Sequence, residues 1–212
     1  MTHFQTQKTI VFDFDGTLVN SKIFIKEISD ALAQEFDLPI FSEKEIEQLR
    51  QKSLREIIRQ LKIPVTRLPK VLKRINQEMR TRFDRLEFVE GILPVLKELS
   101  LKYQLGILTS NEQENVEQFL KRENVDFFKF IYSGASLFGK HRVMKKMLKQ
   151  QALSKNNVIY VGDEVRDVLA ARKTGLKMIA VGWGMNTKEA FSDLGLDKML
   201  VNKPQHLVKL LV

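Results

Sequence analysis

Two aspartates, Asp13 and Asp15, lie where an apolar run ends in the sequence VFDFDGTLVNS. Side chains two residues apart in a strand point the same way, so we expect both carboxylates to face one side of the strand end. Gly16 follows them and permits a tight turn with a close backbone approach to a ligand. Two unpaired carboxylates beside a buried strand are costly unless a cation binds them, and Mg²⁺ prefers oxygen ligands. The pair therefore predicts a magnesium site rather than turn-forming or helix-capping aspartates.

Further polar groups follow other apolar runs of the sequence. They are Thr109, Ser110 and Asn111 in LGILTSN, Lys140 in LFGKHRVMKKML, and Asp163 and Asp167 in VIYVGDEVRD. Each group has an ordinary interpretation when it is taken alone: a turn-forming threonine, a solvated lysine, and acids in the first turn of a helix. By the same reasoning Glu164 is predicted to belong to that solvated first turn rather than to a metal site.

The elements that position these groups alternate between strands and helices. Short apolar runs are predicted as buried parallel strands at residues 9–14, 104–108, 130–132, 157–161 and 177–181. Helical spacing of apolar residues separates the later runs, and the last of these helices is predicted to stop at Gly175. This β–α alternation predicts an α/β protein with a doubly wound parallel sheet.

The predicted fold brings the polar groups together. In open α/β sheets, ligands bind at the carboxyl ends of the strands. Two carboxylates, a hydroxyl, an ammonium and a third carboxylate fall at or near such ends in this sequence. Acids that can hold a metal, together with threonine and lysine donors, favour phosphoryl-transfer chemistry.

Residues from about 22 to 86 do not join the alternation and are predicted to be helical only. Apolar residues recur there at helical spacing, and Ser42 and Ser53 each precede a glutamate by three residues, as in a capping box. We therefore predict a core of residues 1–20 and 87–212 with an inserted helical domain of residues 21–86.

The sequence resembles the haloacid dehalogenase superfamily of phosphohydrolases from about residue 8 to residue 201. The four motifs of that family occur in order: DFDGT at residues 13–17, LTSN with Thr109, Lys140, and GDEVRD with Asp163 and Asp167. The resemblance implies a Rossmann-like core, and the insertion resembles the helical-bundle cap of the phosphoglycolate phosphatase-like and β-phosphoglucomutase-like branch. DFDGTLVNS and the pattern FGKxxVxKKML at residues 138–148 particularly resemble phosphoglycolate phosphatase-like members.

The same resemblance implies roles for the motif residues. Asp13 would be the nucleophile that becomes an aspartyl-phosphate, and Asp15 the general acid and base. Mg²⁺ would be held by the Asp13 carboxylate, the Asp15 backbone carbonyl and Asp163, while Asp167 would orient these groups. The phosphoryl oxygens would be bound by Thr109, Ser110, Asn111 and Lys140. The presence of Asp15 argues against the metal-free dehalogenases, which lack this second aspartate.

Caps of this kind present a loop that selects the substrate, and Lys52, Ser53 and Arg55 lie where that loop is expected. We hypothesise that one of them contacts the leaving group, with the helix start at Ser53 adding N–H donors. The alternative is that Ser53 only caps its helix and the basic side chains are solvated.

The net charge of +9 is concentrated in one stretch of the sequence. Residues 50–82 hold eleven basic and two acidic side chains, which equals the whole excess. The stretch lacks the interleaved aromatic residues of single-strand platforms and matches no DNA-binding motif, so it favours a small phosphorylated metabolite over nucleic acid.

Composition excludes several classes of protein and site. The 212 residues include no cysteine, which excludes disulfides, thiolate nucleophiles and cysteine-bound metals. No apolar run is long enough to span a membrane, and residues 1–8 lack the organisation of a signal peptide, so we expect a cytoplasmic protein with no membrane partner.

The sequence therefore predicts a Mg²⁺-dependent phosphatase acting on a small phosphomonoester. A sugar-phosphate mutase and a noncatalytic phosphate-binding regulatory protein remain alternatives. The substrate is left open among phosphoglycolate, a nucleoside monophosphate and a sugar phosphate, and so is the oligomeric state.

Overall fold

The computed structural model describes residues 8–134, 139–192 and 194–211. Residues 1–7, on which the interpretation of the N-terminus rests, lie outside these ranges. So do residues 135–138, which include the first part of the LFGK sequence before Lys140.

One parallel sheet forms the centre of the protein, with its described strands in the order β3-β2-β1-β4-β5-β6. The strands are β1 (Thr9–Phe12), β2 (Gln104–Leu108), β3 (Phe128–Tyr132), β4 (Val158–Gly162), β5 (Lys177–Val181) and β6 (Leu200–Val201). From β1 the chain adds β2 and β3 on one side of the sheet and then β4, β5 and β6 on the other, so the strand order reverses between β1 and β4. These two strands pair with each other in parallel. The prediction of a doubly wound parallel α/β sheet is confirmed.

Strand β1 is buried on both faces of the sheet. Ile10 and Phe12 belong to the apolar core on one face, and Val11 belongs to the core on the other. A parallel strand covered on both sides gains from apolar residues at every position, which explains its uninterrupted apolar sequence.

The predicted strands differ from the structure at four places. Strand β4 spans Val158–Gly162, one residue later at each end than the predicted 157–161. Strand β1 ends at Phe12, so Asp13 and Asp15 follow the strand, and strand alternation does not decide where Asp15 points. Strand β3 begins at Phe128, two residues before the prediction. The two-residue strand β6 was not predicted, because so short a run carries no recognisable period.

The described helices surround the sheet. They are α1 (Ile25–Phe36), α2 (Glu43–Arg50), α3 (Leu54–Gln60), α4 (Leu68–Thr81), α5 (Ile92–Ser100), α6 (Gln113–Arg122), α7 (Lys140–Gln150), α8 (Val165–Thr174), α9 (Lys188–Ser192) and α10 (Gln205–Leu211). Among the described residues, none of these helices is both long and apolar enough to cross a membrane.

Helices α1 to α4 follow one another between β1 and the helix that leads into β2, as predicted for residues 21–86, here called the inserted segment. Helix α1 packs against α4, and Ile28, Leu32 and Val71 from these two helices join the core on one face of the sheet. The inserted segment is thus packed against the sheet and shares part of its core.

The predicted helix ends are confirmed where side chains cap them. Ser42 and Ser53 each accept a hydrogen bond from the backbone N–H three residues on, and the carboxylate of the glutamate at that position accepts one from the serine N–H. Gly175 ends α8 in the left-handed conformation, with φ of 71°, which glycine adopts without a steric penalty.

Candidate active site

The predicted site residues meet at the carboxyl ends of three neighbouring strands. Asp13 follows β1, Thr109 follows β2 and Asp163 follows β4, and β1 pairs with both other strands. The edge between β1 and β4 is the point where the strand order reverses, which is where open α/β sheets form a crevice.

Lys140 links two of the carboxylates. Its Nζ lies 2.6 Å from Oδ2 of Asp13 and 2.6 Å from Oδ1 of Asp167, and all three side chains are at most 3% exposed. Because Lys140 is the first residue of α7, the start of that helix places its ammonium at the sheet edge. Lys140 is therefore a buried ion-pair partner rather than the solvated lysine that it would be expected to be in isolation.

Asp163 is held from both sides by the loops around it. Thr17 Oγ1 donates to its Oδ1 at 2.9 Å, and the Met185 N–H donates to its Oδ2 at 2.6 Å. A Cβ on Gly16 would lie 2.1 Å from Asp163 Oδ2, and one on Gly184 would lie 2.4 Å from the same atom. Both glycines are required because backbone and carboxylate pass so closely here.

The carboxylates outnumber the cations around them. Oxygens of Asp13, Asp163 and Asp167 all lie within 4.8 Å of one another. Burial raises the pKa of Asp13 to about 7 against the opposing effect of Lys140, and burial raises the pKa of Asp163 well above its ordinary value. The acidic and basic groups that influence one another here are Asp13, Asp15, Asp163, Glu164 and Asp167 against Lys140 and Arg166.

This set carries a formal excess of three negative charges when its acids are ionised. A dication with oxygen ligands would lower that excess and favour the ionised form of Asp13. The donor set therefore fits a Mg²⁺ ion.

Asp15 lies on the cavity side of the cluster. Asn111 Nδ2 donates to its Oδ2 at 3.0 Å, whereas its Oδ1 is shielded from solvent and has no hydrogen-bond partner among the described residues. Burial raises the pKa of the Asp15 carboxyl, so the protonated form is favoured relative to an exposed aspartate.

The residues that follow β2 lie beside Asp15. Thr109 is fully buried, and its Oγ1 accepts a hydrogen bond of 3.0 Å from the Asn111 N–H. Ser110 and Asn111 line the large cavity beside Asp15. The structure thus brings this predicted group next to Asp15, where its hydroxyl and amide groups can meet a bound anion.

Arg166 is a site residue that the sequence reasoning missed. Its Nη2 donates to Glu164 Oε1 at 2.5 Å, while its Nε is buried without a hydrogen-bond partner among the described residues. Arg166 lines two cavities beside the site, one of about 550 Å³ and one of about 210 Å³. The available signal was a basic residue between two acids directly after a strand.

Glu164 differs from the prediction of a solvated first-turn acid. Its side chain is 16% exposed, it is the N-cap residue of α8, and it pairs with Arg166. The prediction of a solvated side chain was wrong because Arg166, two residues on, pairs with the carboxylate.

The three candidates for substrate contact near the start of α3, Lys52, Ser53 and Arg55, have different surroundings. Ser53 caps α3, and Lys52 Nζ donates to Gln60 Oε1 at 2.5 Å. Ser53 and Arg55 line a cavity of about 210 Å³ that also contacts Lys140 and Arg166. None of the three lines the larger cavity beside Asp15.

Many cations of the basic stretch form ion pairs. Arg74 and Arg82 both pair with the buried Glu78, and Arg82 also pairs with Glu27. Arg80 pairs with Glu112 at the start of α6. These ion pairs connect helices of the inserted segment with one another, and the pair of Arg80 with Glu112 connects the segment to α6.

A cavity of about 550 Å³ lies between the inserted segment and the sheet edge. Its sheet side includes Asp15, Ser110, Asn111, Glu164 and Arg166. Its other side is formed by α1, α3 and α4. This volume and the mixture of an apolar wall with a few polar groups are typical of small-molecule sites.

Comparison with known proteins gives consistent matches over most of the chain. The model of the family described as haloacid dehalogenase-like hydrolase matches residues 10–181. A phosphoglycolate phosphatase of Synechococcus elongatus is 35% identical over 185 residues, which cover 86% of this chain and 87% of the relative. Pyrophosphatase PpaX of Listeria welshimeri is 25% identical, with 91% of each chain covered.

A solved structure has the same fold. A haloacid dehalogenase-like hydrolase family protein from Streptococcus pneumoniae gives a TM-score of 0.80 at 24% identity, covering 97% of this chain and 99% of that chain.

Proposed function

The chain belongs to the haloacid dehalogenase-like hydrolases, as its motifs indicated, and we propose that it is a Mg²⁺-dependent phosphatase that forms an aspartyl-phosphate on Asp13. The observation that carries this proposal is the contact of the buried Asp13 with Lys140, beside Asp163 and next to a cavity lined by Asp15. The names of two relatives, a phosphoglycolate phosphatase and a pyrophosphatase, support a small phosphorylated substrate.

In the first step, a carboxylate oxygen of Asp13 forms a bond to phosphorus while the bond from phosphorus to the leaving oxygen breaks. Asp15 gives its proton to that oxygen, so the leaving group departs as a neutral hydroxyl. The raised pKa of Asp15 supports this role, since the carboxyl must hold a proton when the substrate binds.

In the second step, water attacks the phosphorus of the aspartyl-phosphate. Asp15, now ionised, accepts a proton from the water, and the bond between phosphorus and the Asp13 oxygen breaks to release inorganic phosphate. Each group returns to its starting state, and the difficult displacement is divided into two easier ones.

Lys140 and the residues after β2 would bind the transferring group. The ammonium of Lys140 sits between Asp13 and Asp167, so Asp167 keeps it in place beside the nucleophile. Thr109, Ser110 and Asn111 would bind phosphoryl oxygens from the other side. Donors fixed before the reaction are the groups that stabilise developing charge most strongly.

Mg²⁺ would be held by the Asp13 carboxylate, the Asp15 backbone carbonyl and Asp163. When bound, it would supply positive charge that offsets the repulsion between the carboxylates and the phosphoryl group.

We further propose that residues 21–86 act as a cap on a catalytic core of residues 1–20 and 87–212. Ser53 and Arg55 are candidates for contact with the substrate because they line the small cavity that includes Lys140. Lys52 is the weaker candidate, since its ammonium binds Gln60.

The test is phosphate release from a panel of phosphomonoesters, with pyrophosphate added, in the presence of Mg²⁺. We expect turnover that is lost in EDTA, restored by excess Mg²⁺, and abolished in Asp13→Asn. Folded protein that releases phosphate from no member would contradict a phosphatase, and turnover that survives in Asp13→Asn would exclude the proposed nucleophile.

A further inference from the structure

The large cavity has two chemically different ends. Its catalytic end is polar and includes Asp15 and Asn111. Its far wall consists mainly of large apolar side chains from the inserted segment, among them Ile25, Ile28, Leu32, Leu72, Ile75 and Met79. A leaving group that extends from a phosphoryl group at the catalytic end into this cavity would contact the apolar wall.

Three polar atoms at the catalytic end lack partners. Asp15 Oδ1, Ser21 Oγ and Arg166 Nε are buried without a hydrogen-bond partner among the described residues, and all three residues line the cavity. Buried polar groups are rarely left unpaired, so these atoms indicate that a ligand supplies a polar group here. The ester oxygen of a substrate is such a group.

The far wall does not suit an anionic leaving group. Among the described residues of that wall, the cation is Arg80, which is paired with Glu112, whereas Arg166 lies at the catalytic end. A glycolate carboxylate or a second phosphate directed at this wall would lose its hydration without gaining an ion pair, which is costly.

The cavity is also larger than such small leaving groups need. Its volume of about 550 Å³ is several times the roughly 150 Å³ of a cavity that binds benzene. Glycolate would leave most of the apolar wall without a contact.

We infer that the preferred substrate is a phosphomonoester whose leaving group is an uncharged, mainly apolar alcohol or phenol. This inference rests on the proposed phosphatase function and narrows its substrate class. The leaving oxygen lies beside Asp15, and the apolar body contacts α1 and α4.

A series of n-alkyl phosphates from ethyl to octyl tests the inference, because the reactivity of the ester changes little along the series while its apolar surface grows. We expect kcat/KM to rise roughly three- to fourfold for each buried methylene, and then to level off when the cavity is full. Hexyl phosphate should exceed phosphoglycolate by about tenfold or more. An unchanged kcat/KM along the series, or a preference for phosphoglycolate, overturns the inference.

Substitutions in the apolar wall test whether that wall causes the dependence of kcat/KM on chain length. Leu72→Asn places an amide in the wall and should flatten the dependence on chain length, whereas Val65→Asn, at a residue that is 78% exposed on the same segment, should not. If Leu72→Asn does not fold, Ser29→Leu supplies the test. Ser29 lines the cavity, so a larger side chain there should shift the optimum to a shorter ester.

A binding measurement separates this inference from the proposed function. Calorimetry with n-alkylphosphonates, which cannot be hydrolysed at the phosphorus–carbon bond, measures affinity without turnover. If no ester is turned over but affinity rises with chain length, the phosphatase proposal fails and the apolar site stands. Turnover with an affinity independent of chain length supports the phosphatase and refutes the apolar leaving group.

Discussion

Arg50 Nη2 donates a hydrogen bond of 2.8 Å to the carbonyl oxygen of Gly184. Arg50 belongs to the inserted segment, and its Nε also donates to the Met185 carbonyl at 2.9 Å. The Met185 N–H in turn binds Asp163. The inserted segment therefore helps to hold the loop that orients a proposed metal ligand.

Replacing Arg50 by Met should weaken Mg²⁺ activation. Groups that orient metal ligands typically change metal affinity 10- to 100-fold, so we expect the Mg²⁺ concentration for half-maximal activity to rise by roughly that factor. Arg59→Met is the control, since Arg59 is an exposed cation of the same segment that lines neither of the two cavities. Equal Mg²⁺ requirements in both variants would refute a positioning role for Arg50.

Replacing Lys140 by Met should affect both catalysis and stability. Loss of a charged donor at the transferring group predicts a fall in kcat of about 10²- to 10³-fold. Two buried carboxylates also lose their shared partner, so we expect roughly 3–5 kcal/mol less stability in urea unfolding without Mg²⁺. A variant as stable as the native protein would show that the two ion pairs contribute no net stability.

Arg166 should contribute to substrate binding through its charge and through its Nε, which has no hydrogen-bond partner in the described part of the chain. A hydrogen bond to a charged group contributes about 1.5–3 kcal/mol, so Arg166→Met should reduce kcat/KM by roughly 10- to 150-fold. The inhibition constant of inorganic phosphate should rise as kcat/KM falls. Arg166→Lys should recover part of the affinity for phosphate. An unchanged phosphate inhibition constant would limit Arg166 to the support of Glu164.

The ion pairs of Glu27 make the stability of the inserted segment depend on pH. Hydrogen bonds from Arg85 and Arg82 lower the pKa of Glu27 to about 2 from an ordinary value of 4.5. A lowered folded-state pKa contributes stability above pH 4.5 that is lost as pH falls towards 2. In urea titrations, the free energy of unfolding of the native protein should exceed that of Glu27→Gln at pH 6. The difference should shrink as the pH drops below 4. A constant difference between the two proteins across this range would contradict the assignment.

Sequence reasoning located the residues that follow buried strands. The apolar runs of β2 and β5 have the bounds that the sequence predicted, and the groups after β1, β2 and β4 meet because parallel strands end at one edge. A buried parallel strand has a strong local signal, and its end therefore marks the position of Asp13, Thr109 or Asp163.

The features of the site that the sequence did not predict depend mainly on contacts between segments that are distant in the chain. Arg50 and Arg166 look like ordinary surface cations in the sequence, and only the packing of the inserted segment and α8 places them at the site. The position of Asp15 follows from the turn after β1 rather than from strand alternation. Partners of long flexible side chains cannot be read from local spacing.

The hydrogen bond between Thr17 and Asp163 joins residues that are 146 positions apart in the chain. This hydrogen bond forms only when residues so far apart in the chain have been brought together, and non-local contacts of this kind form slowly because the intervening loop must first be closed. Recovery of activity during refolding is thus tied to docking of the two halves of the sheet. A growing chain on the ribosome lacks the complete site until residues as far as Met185 have emerged.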